Sequence, residues 1–290
     1  MVVPALRETL DSYLGRLAAA NRCDHEALRA HIAGDIRRTA RITADGLATA
    51  SGQPAALLLR AIPELSRAPT QFGNRPSQPY GSPRSECRHC ALARGRIRAA
   101  TVHAHHHEAV CRQHLRWLGD AHADSDGGQP DLGRHPQIVQ TNLRHRRLIR
   151  IRGLDAATTA YRDAAWVCER WHEHQVHDHG FIDRLKLFHG PSWNLATTDA
   201  TIQAARYPQI VALAALLASP HWRAKADQDQ QAEFAEQVRR TVAPRYEWSL
   251  RSPHRRYDPL VQALGHHLRP VTHISTQDLR SKRSANSECR

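Results

Sequence analysis

The sequence has no apolar run long enough to cross a bilayer. Its longest, IVALAALLA at residues 210–218, falls far short of the roughly 20 residues a membrane helix needs. The opening MVVPALRETLDSYL contains no uninterrupted apolar core of the kind a secretion signal requires. The cytoplasm is therefore the expected location. Cysteine is scarce. Of six residues, Cys87, Cys90 and Cys111 are clustered and Cys23, Cys168 and Cys289 are scattered. That pattern does not make a disulfide framework, and without an export signal clustered thiols point to metal. There is no phosphate-cradling glycine loop, no pair of catalytic carboxylates and no nucleophile–base pair. GPSWN and GGQP read as turns. No enzymatic activity is expected. Lysine occurs only at positions 186, 225 and 282, and no internal repeat is present.

What fills the chain instead is arginine. Within 290 residues, long enough for one large domain or two smaller ones, 41 basic residues outnumber 28 acidic ones, for a formal charge of +13. The sequence pI is about 10.2. The planar guanidinium fork matches phosphates, base edges and carboxylates, so the excess favours a polyanionic partner, nucleic acid first. A GC-rich coding sequence would produce the same bias, so charge alone leaves the partner open.

The periodicity is helical. In ETLDSYLGRLAAANR, Leu10, Tyr13, Leu14 and Leu17 follow the spacing of one apolar helix face. Asp24 is placed to cap a second helix carrying Leu28 and Ile32. In LATASGQPAALLLRAI, residues 47–62, Ala48, Gly52, Leu58 and Ala61 occupy the positions a helix-turn-helix needs: small at the crossing, free at the turn, apolar between the helices. Pro54 suits the first turn of the second helix. That helix offers only Gln53 and Arg60 to a DNA groove, so a hairpin used for packing fits equally well. Residues 63–86 are rich in Pro, Ser and Gly and read as a linker. After a second polar connector, helices are expected over 136–152, 155 to about 175, 199–218 with a break before Pro208, and 228–242. Asp155 and Asp199 serve as caps and Gly153 as a stop.

The chemistry-bearing pattern is ECRHC at 86–90 followed by CRQH at 111–114. Cys87-x2-Cys90 and Cys111-x2-His114 are two half-sites of the kind that close on one tetrahedral zinc. The second is expected at the start of a helix, CRQHLRWL, where residues three apart share a face. Four protein ligands leave no open position, which makes the expected Zn2+ structural. The loop between them holds HAHHH at 103–107, and any of these imidazoles is an alternative to His114. His106-x-Glu108 lies on the wrong side of the Cys pair for a zinc deaminase, and Cys111 spoils an HExxH match to His107-Glu108. WHEHQVHDH at 171–179 places His172, His174, His177 and His179 near a helix end. Favourable interaction with the helix dipole is the simpler reading, a second metal the alternative.

RHRRLIRIR at 144–152 sets Arg144, Arg146, Arg147, Arg150 and Arg152 among Leu148, Ile149 and Ile151. On a helix this gives an apolar side and an arginine side suited to a phosphate backbone. PRYEWSLRSPHRRY at 244–257 interleaves Arg245, Arg251, Arg255 and Arg256 with Tyr246, Trp248 and Tyr257, a mixture that stacks bases. A merely solvated charged face is the alternative for both.

The order ETLDSYLGRLAAAN, LATASGQPAALLLRAIPEL, ECRHC, VCRQHLRWLGD resembles the TniQ family of transposition proteins over about residues 1–120. The resemblance implies a helical, zinc-containing target-selection adaptor that joins a transposase and its ATPase partner to a DNA site or an RNA-guided complex. Some members dimerise, so a homodimer is a further implication. Cys87, Cys90, Cys111 and His114 match the family's first zinc site. Two departures stand out: GDAHADSDGG replaces a second Cys pair, and Arg112 stands where proline is usual.

The expected fold is mainly α: an N-terminal helix-turn-helix-like segment (1–62), a linker (63–86), a zinc finger (87–120), a connector (121–135), a helical C-terminal domain (136–270) and a disordered tail (271–290). The expected function is a non-enzymatic, zinc-stabilised DNA-associated adaptor. A helix-turn-helix transcriptional regulator and a protein-interaction module without DNA contact are the alternatives.

Overall fold

The first three helices each begin on a side chain that satisfies an orphaned backbone amide. In the computed structural model, Thr9 caps α1 (Leu10–Asn21) by accepting from the Ser12 amide at 3.2 Å. Asp24 caps α2 (His25–Ala33) and Thr43 caps α3 (Ala44–Ser51). The stops are equally local. α2 and α3 end on Gly34 and Gly52, both left-handed, and Pro54 precedes α4 (Ala55–Ala61). Of the apolar stripe read from the sequence, Tyr13, Leu14 and Leu17 are buried and Leu10 is partly buried. Tyr13, Leu14, Leu17, Leu47, Leu58 and Ile62 form one core, with Ala48, Leu28 and Ile32 packed at its margin. The chain is described over residues 2–34, 41–66, 81–119, 128–173, 176–189, 200–227, 231–242 and 260.

The 63–86 stretch is not linker at either end. Pro63–Ser66 forms a 3-10 turn that buries Pro63 and Leu65, and β1 (Ser82–Ser85) pairs antiparallel with β2 (Thr101–Ala104). Gly81 introduces β1 at φ +86, where an added Cβ would fall 2.1 Å from the Ala104 carbonyl oxygen; no other residue fits there. The N-terminal arm adds itself to β2. The Thr9 amide donates to Thr101 at 2.9 Å, and His103 donates to Arg7 at 2.7 Å. The first helix and the Cys/His region are thus hydrogen-bonded together.

The remaining described elements are mostly helices: α5 (Arg88–Ala93), then, after β3 (Val110–Cys111) and β4 (Arg116–Trp117), α6 (Pro136–Arg152), α7 (Leu154–Glu173), α8 (Phe181–His189), α9 (Ala200–Leu217), α10 (Pro220–Asp227) and α11 (Gln231–Thr241). α6 has the expected bounds and stops at Gly153. Asp155 lies in the first turn of α7 rather than at its cap. Two helices, α8 and α10, carry no signal strong enough to be anticipated. α9 runs through Pro208 without the expected break. Proline removes one intrahelical donor, and one turn away the Ala205 carbonyl accepts from Arg184 Nε at 2.7 Å. Asp199, the aromatic–arginine stretch 244–257 and the tail 271–290 lie outside the described residues.

The chain divides into two compact units, each interrupted in sequence: Met1–Thr158 with His179–Val211, and Thr159–Asp178 with Ala212–Arg290. This division runs through α7 and α9, not through a connector at 121–135. Within the second unit Val167, Cys168 and Trp171 of α7, Leu213 of α9 and Phe234 and Val238 of α11 are buried. Lys225 pairs there with Glu233. No described helix is long and apolar enough to cross a membrane.

Candidate metal centre

Three short elements bring the two half-sites together. Cys87 is the residue before α5, and Cys90 sits one turn along it. Cys111 ends β3, and His114 lies in the turn to β4. The expected helix at CRQHLRWL is therefore a β-hairpin. Its turn is completed by Leu115 at φ +47, a left-handed conformation that no helix allows. Two-residue spacing serves a metal from either geometry, which is why the ligands were legible and their element was not.

The four ligand atoms all lie within 4.8 Å of one another. The His114 Nδ1 is 3.6 Å from Cys87 Sγ, 3.3 Å from Cys90 Sγ and 3.7 Å from Cys111 Sγ. Cys90 and Cys111 sulfurs are 3.7 Å apart. A tetrahedral ion with bonds of about 2.3 Å to sulfur and about 2.0 Å to nitrogen has edges of about 3.8 Å and 3.5 Å. The three nitrogen–sulfur separations and the Cys90–Cys111 separation lie close to those edges, and the cluster can hold a metal ion. None of the imidazoles at 103–107 belongs to it. His103 is instead 2.9 Å from Glu64, and Glu108 carries a two-pronged ion pair from Arg7 at 2.9 and 2.7 Å.

The electrostatics call for a cation. Burial and the neighbouring Cys111 sulfur push the Cys90 thiol up to about 12, and burial also raises Cys87. Cys111 goes the other way: burial raises it, but the His114 amide and the two facing thiols more than reverse this. Three sulfurs at this separation ionise together only around a positive ion.

Residues that sequence patterns do not mark brace the site. Gln129 donates from Nε2 to the Glu86 carbonyl at 2.7 Å and accepts from the Arg88 amide at 3.0 Å, clamping the start of α5. The Glu86 carboxylate accepts from Arg96 Nε and the Ala100 amide, both at 2.9 Å. Residues 129–132 of the supposed connector run along the hairpin, with Trp117 donating to Pro130 at 2.9 Å and Leu132 to Leu115 at 2.7 Å.

Behind the hairpin, α6 presents Ile138, Thr141, Asn142 and His145 inward. Asn142 donates to the His107 carbonyl at 2.8 Å and to the Tyr207 hydroxyl at 3.2 Å; His145 Nδ1 lies 2.9 Å from that hydroxyl. Burial, then nearby His107, His106 and arginines, hold His145 down at about 3. Glu108 is held at about 2, because the Arg7 fork and the His105 amide outweigh its burial. Both shifts predict acid lability. A histidine kept neutral by folding costs stability as pH falls from its unfolded value, about 6.5, toward 3. A depressed carboxylate loses its contribution as pH falls from about 4.3 toward 2. Urea midpoints should therefore fall steadily from pH 7 to pH 4. Glu108→Gln should be less stable than the parent at neutral pH, with the gap closing only below about pH 4.

The DNA-facing candidates separate sharply. Gln53 is 6% exposed, shut into the α3–α4 turn, and has no reach to a groove; that expectation is corrected. Arg60 is exposed but lies between exposed Leu57 and Leu59, a poor base-reading face. On α6, Arg144, Arg146, Arg147, Arg150 and Arg152 are all exposed. None of the five pairs with a carboxylate among the described residues. The expected apolar side is only partial: Leu148 and Ile149 are half-buried and Ile151 is 58% exposed, because the buried stripe ends at His145. At 172–179, the His172 and His177 rings lie 5.0 Å apart, tilted by 55°; His174 lies outside the described residues.

No family model, no curated protein and no solved structure matches this chain.

Proposed function

We propose that the chain is a non-enzymatic, DNA-associated adaptor of the TniQ kind, with structural zinc in the Cys87, Cys90, Cys111, His114 site. Zinc is favoured by the ligand set, three thiolates and one imidazole with no position left for water or substrate. The observation that carries the DNA reading is the outer face of α6. At 100° per residue Arg144, Arg146, Arg147 and Arg150 cover the side opposite the Ile138–His145 stripe. They form a run of positive charge, uncompensated among the described residues, on a rigid rod packed behind the metal centre. Such a face follows phosphates and carries little sequence information. The transposase and ATPase partners come from the TniQ resemblance alone.

The test is duplex binding at several salt concentrations. The protein should bind with an affinity that falls steeply with salt. Replacing the four arginines by glutamine should flatten the log–log slope by about 3 to 4, at roughly 0.9 for each phosphate no longer neutralised. An unchanged slope removes α6 from the interface, and absence of salt-sensitive binding removes the DNA reading.

A further inference from the structure

A second surface of the same unit has a different chemistry. Between α1 and the chain leaving α5 lies an open groove of about 790 Å3. Its apolar lining comes from Val2, Val3, Ala19, Ala20 and Ile97. Ile97 is 94% exposed and Val3 57%, a large uncovered apolar surface for an otherwise polar chain. Around this lining stand Arg16, Arg94, Arg96 and Arg98.

Both walls are fixed in place. The Tyr13 hydroxyl donates to the Val2 carbonyl at 3.0 Å, and Arg16 Nη2 donates to Val3 at 3.0 Å, holding the arm against α1. Opposite, the Gly95 and Arg96 amides close the end of α5 on Leu92 and Ala91, both at 2.9 Å. Glu86 ties down Arg96. A preformed groove does not lose ordering entropy when filled.

The charges select the occupant. Arg16 is neutralised by Glu8 and Arg96 by Glu86. Arg94 reaches Glu86 only at 3.6 Å and with a side chain 63% exposed, and Arg98 has no ion pair among the described residues. The groove therefore offers apolar contact with two available guanidinium groups at its rim. A nucleic acid strand would leave the valines and Ile97 uncovered, and α6 provides the better phosphate track. The chain's own 271–290 segment, with four basic residues against two acidic ones, and a second copy at +13 are the poorer charge match for this rim. We infer that this groove docks a segment of a partner protein that carries apolar side chains flanked by carboxylates. Apolar side chains would bury Ile97 and Val3 while carboxylates bridge Arg94 and Arg98. The inference does not depend on α6 binding DNA.

Selection of a displayed library of random 12-residue peptides on the intact, zinc-loaded protein tests it. Recovered peptides should combine two or more large apolar residues with Asp or Glu. In fluorescence anisotropy, Ile97→Asp and Arg98→Glu should each weaken their binding by about tenfold or more. Both positions are exposed, so unchanged thermal melting will show that the fold survives. The variant with the four α6 arginines replaced should bind these peptides as the parent does. Recovery of no peptide, recovery of peptides without carboxylates, or binding indifferent to both substitutions overturns the assignment. So does displacement of the peptide by duplex DNA that persists in the α6 variant, which would give the groove to nucleic acid.

Discussion

Cys111→Ser should purify without metal and with the centre of its first unit unfolded, whereas the parent should carry close to one metal ion per chain, zinc on the reading proposed above. The size of this effect follows from how short the elements that carry the four ligands are. α5 is six residues long, and β3 and β4 are two residues each, all far below what an isolated helix or hairpin needs to persist. The buried apolar residues of this region are mostly alanine, with Val110 and Trp117 the only large ones. Metal binding in small fingers supplies folding free energy on the order of 10 kcal/mol, and serine replaces a thiolate with a poor ligand. Metal analysis, together with proteolysis read by mass spectrometry, checks the result: new cleavage should concentrate between Cys87 and Leu118. A metal-free variant with unchanged protection and melting would show that the four side chains converge for another reason.

Glu8→Gln should lower stability by about 3–5 kcal/mol, the range for leaving a buried charge without its partner. The carboxylate is fully buried. It accepts from the Ala5 amide at 2.7 Å, from Ser12 Oγ at 2.9 Å, and from Arg16 through Nε and Nη2 at 2.9 and 2.7 Å. The amide keeps the volume but cannot satisfy the arginine fork, whose side chain is only 11% exposed. Urea unfolding measures the loss. Adding Arg16→Leu should recover part of it, since removing both charges abolishes the uncompensated one. A double variant less stable by the full sum of the single losses would show that the two residues act independently.

Glu8 also shows where sequence reading stops. α1 was legible from its apolar stripe and α2 from the Asp24 cap with Leu28 and Ile32, because those signals are local. The four metal ligands were legible because paired two-residue spacings carry their own chemistry. Glu8, Glu86 and Gln129 were not, since each works by reaching a partner placed by the fold, and Gln129 meets Arg88 across 41 positions. The β1–β2 ladder was hidden for a related reason. SPRS and TVHA lack a full alternating pattern and become strands only when paired with each other and with the Arg7–Thr9 arm. Gln53 failed as a groove contact because a polar residue at a helix-hairpin turn can face inward as readily as outward. α9 overrode the break expected at Pro208 because tertiary burial outweighs one missing donor.

The interrupted first unit constrains how the protein is made. Its final strip of chain, near Tyr207, supplies the hydroxyl shared by Asn142 and His145 and the ring that meets Trp117 edge-on at 5.1 Å. A nascent chain emerging from the ribosome must therefore hold the hairpin and α6 incomplete while about fifty further residues are translated, several seconds at ordinary synthesis rates. Excising the Cys/His region at residue 120 as a stand-alone finger would discard the same seal, leaving Trp117 bare to water.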